Sequence, residues 1–134
     1  MTTPGLDILI IEDNEQNRYL LTFLLEKQGH RVRVAHDGLT GIRLAELMPP
    51  HLVLLDIQLP TMHGYDVARA LRALPTVART PIVAVTSYAM PGDREKALAA
   101  GCDGYIEKPI DPDTFVDQVH AYCRPSSGTP GDNA

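Results

Sequence analysis

The feature that most constrains this 134-residue chain is a regular alternation of short apolar runs with helical patterns. The predicted strands are Ile8–Ile11, Arg31–Ala35, Leu52–Leu55, Ile82–Val85 and Tyr105–Glu107. The predicted helices lie near Glu15–Gln28, Leu39–Leu47, Gly64–Leu74, Asp93–Ala100 and Pro112–Tyr122. A strand followed each time by a helix predicts an α/β fold, with a parallel sheet covered by helices on both faces.

The composition of the strands also predicts their order. The first, third and fourth runs (ILII, LVLL and IVAV) are apolar throughout, as expected for strands buried on both faces. The second, RVRVA, alternates Arg with Val, and the fifth, YIE, is short and mixed, so both are expected at edges. A doubly wound, flavodoxin-like sheet of five strands in the order 2-1-3-4-5, with five helices, satisfies this pattern and opens a crevice at the carboxyl ends of strands one and three.

The length fits one compact domain, which we assign to residues 6–123, after an N-terminal extension of residues 1–5. Residues 124–134 (RPSSGTPGDNA) are rich in Ser, Gly and Pro and are predicted to be a disordered tail.

A net charge of -5 without tryptophan argues against nucleic acid as a partner and favours proteins. No apolar stretch suggests a membrane span, and MTTPGLD lacks the features of a secretion signal, so a cytoplasmic location is expected. The five histidines show no ligand spacing, and His120 is interpreted as a surface residue of the last helix.

A carboxylate, Asp56, stands directly after the apolar run of the third strand, where an unpaired buried charge would be costly. In the predicted sheet its neighbours are Glu12 and Asp13 after strand one, Thr86 after strand four and Lys108 after strand five. Three converging carboxylates repel one another unless a cation lies among them, and oxygen ligands in a small hydrated site suit Mg²⁺.

Carboxylate, divalent cation, ammonium and hydroxyl are together the parts of a phosphoryl-transfer site. Asp56 is the best candidate for a nucleophile that forms an aspartyl phosphate, because it ends the central strand, whereas Glu12 and Asp13 are better placed to hold metal. Each residue alone has a simpler interpretation as a solvated loop, a strand end or a turn. Because all five are predicted at one edge of the sheet, a phosphoryl-transfer site is favoured over these separate interpretations.

The segments IEDN, LLDIQLP with Gly64 beyond it, VTSYAM and GYIEKPI resemble the signatures of CheY-like response regulator receiver domains, in particular single-domain regulators of the DivK type. The resemblance covers residues 6–123. It implies Asp56 as the phosphoacceptor and Asp13 and Asp56 as direct Mg²⁺ ligands. It further implies the backbone carbonyl of Gln58 as a third ligand, Glu12 acting through water in place of the commoner Asp, and Lys108 contacting the phosphoryl oxygens. Thr86 and Tyr105 would form a switch pair, and the bond between Lys108 and Pro109 would be cis.

The resemblance implies a phosphorelay role. The phosphoryl group would come from a sensor histidine kinase or a histidine phosphotransfer protein, and no separate substrate would be turned over. A downstream protein would bind the face formed by the fourth helix, fifth strand and fifth helix, and the chain would be a monomer or weak dimer. Two alternatives stay open: a receiver excised from a hybrid histidine kinase, and a flavodoxin-like cofactor-binding protein. The acidic loop EDNEQN after strand one argues against the second, because it would repel a cofactor phosphate.

Overall fold

A computed structural model describes residues 5–87 and 90–123 of the chain. The strands are β1 (Asp7–Ile11), β2 (Arg31–Ala35), β3 (Leu52–Asp56), β4 (Ile82–Thr86) and β5 (Gly104–Glu107). The helices are α1 (Glu15–Lys27), α2 (Gly38–Leu47), α3 (Gly64–Ala73), α4 (Asp93–Ala99) and α5 (Pro112–Cys123), and a short 3₁₀ turn spans Pro75–Val77. The predicted tail and all but the last residue of the predicted N-terminal extension lie outside the described residues.

The five strands form one parallel sheet in the order β2-β1-β3-β4-β5, which confirms the prediction from strand composition. Every residue of β3 and β4 is buried, whereas β2 at the edge exposes Arg31 and Val34. Both central strands run one residue further than predicted, so that Asp56 and Thr86 are their last residues. The polar side chains of these two residues are therefore fixed by the sheet.

Each face of the sheet is covered by its own apolar layer. On one face, Leu21 and Leu25 of α1 and Phe115 and Val119 of α5 pack against the even-numbered residues of β1 and β3. On the other face, α2, α3 and α4 pack against the remaining strand side chains. Removal of this apolar surface from water is the main force that stabilises such a sheet. Within the part of the chain that the structure describes, no helix has the length and apolar character needed to cross a bilayer.

Polar side chains cap α1 and α5, whose first turns lie near the carboxyl edge of the sheet. The side chain of Asn14 accepts a hydrogen bond of 2.9 Å from the Asn17 N–H and so caps α1. The Oδ1 of Asp111 accepts one of 2.9 Å from the Asp113 N–H at the start of α5. These bonds satisfy N–H groups that have no partner inside a helix. They also set where the loops after β1 and β5 end.

Candidate functional site

The polar residues predicted to converge do lie together, at the carboxyl ends of β1, β3, β4 and β5. Asp56 and Thr86 end their strands, Glu12 and Asp13 follow β1, and Lys108 follows β5. Three of the five, Glu12, Asp56 and Thr86, are at most 4% exposed. The edge of an otherwise apolar sheet therefore holds a buried polar cluster, open to solvent on the side of Asp13.

Asp56 has the partners that its burial requires. Its Oδ1 accepts a hydrogen bond of 3.0 Å from the Gln58 N–H and lies 3.7 Å from the Nζ of Lys108. Burial, reinforced by the neighbouring charge of Glu12, nevertheless raises the pKa of Asp56 to about 6, against the opposing effects of the Gln58 N–H and Lys108. One ammonium group is thus too little positive charge for this pair of carboxylates.

Glu12 is the most tightly held member of the cluster. Its backbone N–H donates to the carbonyl of Ala35, and its Oε2 accepts a hydrogen bond of 3.2 Å from the Asn14 N–H. Its Oε1 lies 2.9 Å from the Nζ of Lys108 but, among the described residues, accepts no hydrogen bond of good geometry. This oxygen is buried, charged and incompletely satisfied, as is expected of a group that holds a cation or its water.

The acidic residues of the cluster fit a divalent cation. Glu12, Asp13 and Asp56 each offer one carboxylate oxygen, and these oxygens all lie within 4.8 Å of one another. A set made only of oxygen atoms, with one exposed member that leaves room for water, matches the preference of Mg²⁺. The backbone N–H of Gln58 is occupied by Asp56, whereas the predicted role of its carbonyl as a ligand stays a prediction.

Lys108 is positioned by the pairing of β4 with β5. Its backbone N–H donates to the carbonyl of Thr86 over 2.8 Å, and its side chain is only 10% exposed. The peptide bond that joins it to Pro109 is cis, as the family resemblance implied. The lysine ammonium therefore lies between the carboxylates of Glu12 and Asp56 and contacts both.

Thr86 and Tyr105 lie on the same face of the sheet. Tyr105 is the register partner of Ala84, and alternation along the strand turns Thr86 to the side that Ala84 faces. The tyrosine ring is buried beside α4, with the guanidinium of Arg94 5.7 Å from its centroid. A groove of about 580 Å³ opens next to the ring, between α4, β5 and α5. The two residues thus lie on one face of neighbouring strands, two register positions apart.

Two contacts beside the cluster were missed by the reasoning from sequence. Nη1 of Arg18 donates to the backbone carbonyls of Glu12 and Asp13, over 3.0 and 2.8 Å. The hydroxyl of Ser87 donates to the side-chain carbonyl of Gln58 over 3.1 Å and joins the loops after β3 and β4. A basic residue in the first turns of the helix after an acidic loop was the available signal for the first contact. The second had none.

The structure also corrects the interpretation of His120 as a surface residue, because its side chain is partly buried against His30. The Nε2 atoms of His30 and His120 are 2.9 Å apart, and the Nδ1 of His30 accepts a hydrogen bond of 3.0 Å from the Leu6 N–H. His30 is 4% exposed. The residues are 90 positions apart in sequence, so no spacing motif could reveal the pair.

The chain is similar to known proteins in both sequence and fold. Residues 8–120 match the family model of the response regulator receiver domain. The chain is 37% identical over 115 residues to the polar-differentiation response regulator DivK of Brucella anthropi, an alignment that covers 86% of this chain and 94% of that protein.

Solved structures agree with the sequence comparison. The receiver domain of the sensor histidine kinase PA1611 from Pseudomonas aeruginosa PAO1, solved with a magnesium ion in its active-site cleft, is 34% identical with a TM-score of 0.82. That likeness covers 89% of this chain and 98% of the other. The chemotaxis protein CheY4 of Vibrio cholerae has a TM-score of 0.84 over 90% of this chain and 99% of its own, but at 23% identity it supports the fold alone.

Proposed function

Because this chain belongs to the response regulator receiver family, we propose that it accepts a phosphoryl group on Asp56 from a phosphohistidine of a partner kinase or phosphotransfer protein. The observation that carries the proposal is the placement of the Lys108 ammonium between two buried carboxylates, 2.9 Å from Glu12 and 3.7 Å from Asp56. Such an arrangement provides a nucleophile and a fixed positive charge for the oxygens of an incoming phosphoryl group.

The proposed transfer uses groups that already surround Asp56. A carboxylate oxygen of Asp56 forms a bond to phosphorus while the bond from phosphorus to the donor imidazole nitrogen breaks, and the imidazole takes up a proton as it leaves. The N–H of Gln58 holds the Asp56 carboxylate in place by a hydrogen bond. The ammonium of Lys108, 3.7 Å from that carboxylate, faces the oxygens of the incoming phosphoryl group. Glu12, Asp13 and Asp56 would hold Mg²⁺, with the Gln58 carbonyl as a further ligand. When bound, the cation supplies the additional positive charge that the transferred group requires.

We assign the response to phosphorylation to residues beside the cluster. A phosphoryl group on Asp56 offers acceptor oxygens to the hydroxyl of Thr86, and movement of Thr86 changes the space available to Tyr105. The groove between α4, β5 and α5, which Tyr105 lines, is the surface that we assign to a downstream protein. Turnover of a separate substrate forms no part of this function, and the cytoplasm is the compartment that we propose for it. The protein would act as a monomer or weak dimer.

A flavodoxin-like cofactor-binding function is less well supported, because the carboxylates of Glu12, Asp13 and Asp56 would repel the phosphate of a flavin nucleotide. The comparisons include both a response regulator and the receiver of a sensor kinase. The proposal is therefore limited to phosphoryl acceptance and switching, which a free-standing regulator and a receiver of a hybrid kinase share.

The direct test is labelling of the full chain with acetyl phosphate or phosphoramidate and Mg²⁺. We expect one phosphoryl group per chain, mapped to Asp56 by borohydride reduction and mass spectrometry, and none when EDTA is present. Asp56→Asn should abolish labelling, whereas Asp66→Asn, which alters an exposed aspartate paired with Arg69 on α3, should label as the wild type does. Full labelling of Asp56→Asn would contradict the proposal.

A further inference from the structure

We propose that Arg18 is a positioning residue for the metal site and acts by holding Asp13 in its orientation toward Glu12 and Asp56. This inference rests on the proposed function. Its basis is that one nitrogen, Nη1, donates both of its hydrogen bonds to the backbone of the acidic loop, at the carbonyls of Glu12 and Asp13.

The positions of these two carbonyls explain how Arg18 can orient Asp13. They belong to the peptide groups 12–13 and 13–14, which lie on either side of the Cα of Asp13. The peptide group is planar, so fixing both planes fixes the φ and ψ of Asp13 and hence the direction of its Cα–Cβ bond. Arg18 therefore sets the direction in which the side chain of Asp13 leaves the backbone, through contacts to the backbone alone.

Asp13 is the member of the cluster that needs such support. Glu12 is buried, and its backbone N–H, its Oε1 and its Oε2 all have contacts, to Ala35, Lys108 and Asn14 respectively. Asp56 is held in the register of β3 and by the Gln58 N–H. Asp13, by contrast, is exposed and lies between the end of β1 and the cap residue of α1.

Arg18 is itself firmly anchored. Its backbone lies in the first turns of α1, where its N–H donates to the carbonyl of Asn14 over 3.0 Å. Asn14 in turn caps the helix through the Asn17 N–H. Hydrogen bonds from a charged donor are stronger than those between neutral groups, so the guanidinium ties the loop to the helix more tightly than a neutral side chain would.

A simpler role for Arg18 predicts the opposite result. If the guanidinium acted only as a positive charge near the cluster, it would repel a divalent cation, and its removal would tighten Mg²⁺ binding. If it positions Asp13, its removal must weaken binding, since residues that orient metal ligands typically contribute strongly to affinity. The sign of the change therefore separates the two roles.

The experiment measures the Mg²⁺ dissociation constant of the full chain by isothermal titration calorimetry. We expect Arg18→Gln to raise it about tenfold. Arg18→Lys should weaken affinity less than Arg18→Gln does, because its ammonium can still donate charged hydrogen bonds to the loop carbonyls, from a shorter side chain. Arg69→Gln is the matched control: this exposed arginine pairs with Asp66 on α3, and its replacement should leave Mg²⁺ affinity unchanged. In acetyl phosphate labelling, Arg18→Gln should need more Mg²⁺ for half-maximal rate but reach the wild-type rate at saturation.

A double-mutant cycle shows whether the effect passes through Asp13. In an Asp13→Asn background, Arg18→Gln should weaken binding little further, because the ligand that it orients has already lost its charge. Additive effects of the two changes, or an Arg18→Gln affinity equal to or tighter than that of the wild type, would overturn the inference and leave the proposed function intact. Absence of Mg²⁺ binding by the wild type would overturn both.

Discussion

The imidazoles of His30 and His120 share one hydrogen bond of 2.9 Å between their Nε2 atoms and so join the turn before β2 to α5. The Nδ1 of His30 accepts from the Leu6 N–H, which assigns the proton of neutral His30 to Nε2 and makes His120 the acceptor. Protonation of His30 would place its new Nδ1–H opposite the Leu6 N–H and so remove this hydrogen bond. The contacts of His30 therefore favour its neutral form.

We expect the contribution of His30 to the free energy of unfolding to fall as the pH decreases below 6.5. Burial, and next the charge of His120, lowers the pKa of His30 from its ordinary value of 6.5. Between that lowered pKa and 6.5 the unfolded state of His30 binds more protons than its folded state, so this contribution rises with pH through the window. The raised pKa of Asp56 gives an opposite slope near pH 6, so urea unfolding from about pH 5 to 8 is measured in an Asp56→Asn background.

Two glutamine variants, each made in the Asp56→Asn background in which the histidines are otherwise wild type, identify the source of that slope. His120→Gln keeps a side-chain oxygen that can accept from His30 but cannot be protonated, so the slope should become shallower. His36→Gln changes an exposed histidine and should leave the wild-type slope unchanged. A His120→Gln slope as steep as that of the wild type would show that the pair does not cause the effect.

In the absence of divalent cations, Asp56→Asn should stabilise the protein by about 1–2 kcal/mol near neutral pH, because it removes one of two buried carboxylates that share a single lysine. Urea unfolding in EDTA measures the gain, with Asp66→Asn as the exposed control. Addition of Mg²⁺ should reduce the difference, since the wild type then gains stability from binding. A less stable Asp56→Asn in EDTA would contradict this account of the charges.

Thr86→Ala should still be labelled at Asp56, because it leaves the nucleophile, the acidic cluster and Lys108 in place. It should lose the response of Tyr105 to beryllofluoride, which nuclear magnetic resonance of the backbone and ring signals can follow. Thr86→Ser keeps the hydroxyl and should retain the response. An equal response of Tyr105 in Thr86→Ala and the wild type would show that the signal does not pass through Thr86.

Gly64→Ala should destabilise the protein by about 2–3 kcal/mol and also slow labelling. A Cβ at this position would lie 2.5 Å from the Cα of Ile57 and 2.8 Å from the carbonyl oxygen of Asp56. Both are backbone atoms, which cannot relieve the contact by a change of rotamer. Gly41→Ala would meet side-chain atoms of the buried Ile11 rather than backbone, and should cost less because side-chain rotation can relieve part of the contact. Thermal unfolding and acetyl phosphate labelling test the pair, and equal losses in both variants would contradict the argument.

The fold could be predicted because the pattern of apolar residues in each strand indicates how much of that strand is buried. Apolar runs at Leu52–Leu55 and Ile82–Val85 belong to central strands, and the alternating RVRVA belongs to an edge. Once the order is known, the carboxyl ends of adjacent parallel strands lie side by side, so Asp56 at the end of β3 is expected beside Glu12, which follows β1. The acidic cluster follows from topology, without knowledge of any side-chain conformation.

The remaining contacts depend on where long side chains reach after the chain has folded. Arg18 contacts backbone carbonyls, which every residue possesses, so no residue type marks its partners. His30 and His120 meet only because α5 returns across the sheet to the start of β2. Ser87 and Gln58 lie on separate loops whose distance the strand order does not determine. Such contacts require atomic coordinates.

The contact between His30 and His120 also locates both ends of the described domain. Because α5 returns to the start of β2, residue 123 lies at the amino edge of the sheet, and β1 begins at that same edge. The acidic cluster occupies the opposite edge. A fluorescent protein, an affinity handle or a surface tether joined at either end of the described domain would therefore leave the approach to Asp56 open. Labelling of Asp56 should then proceed equally well with and without such a fusion.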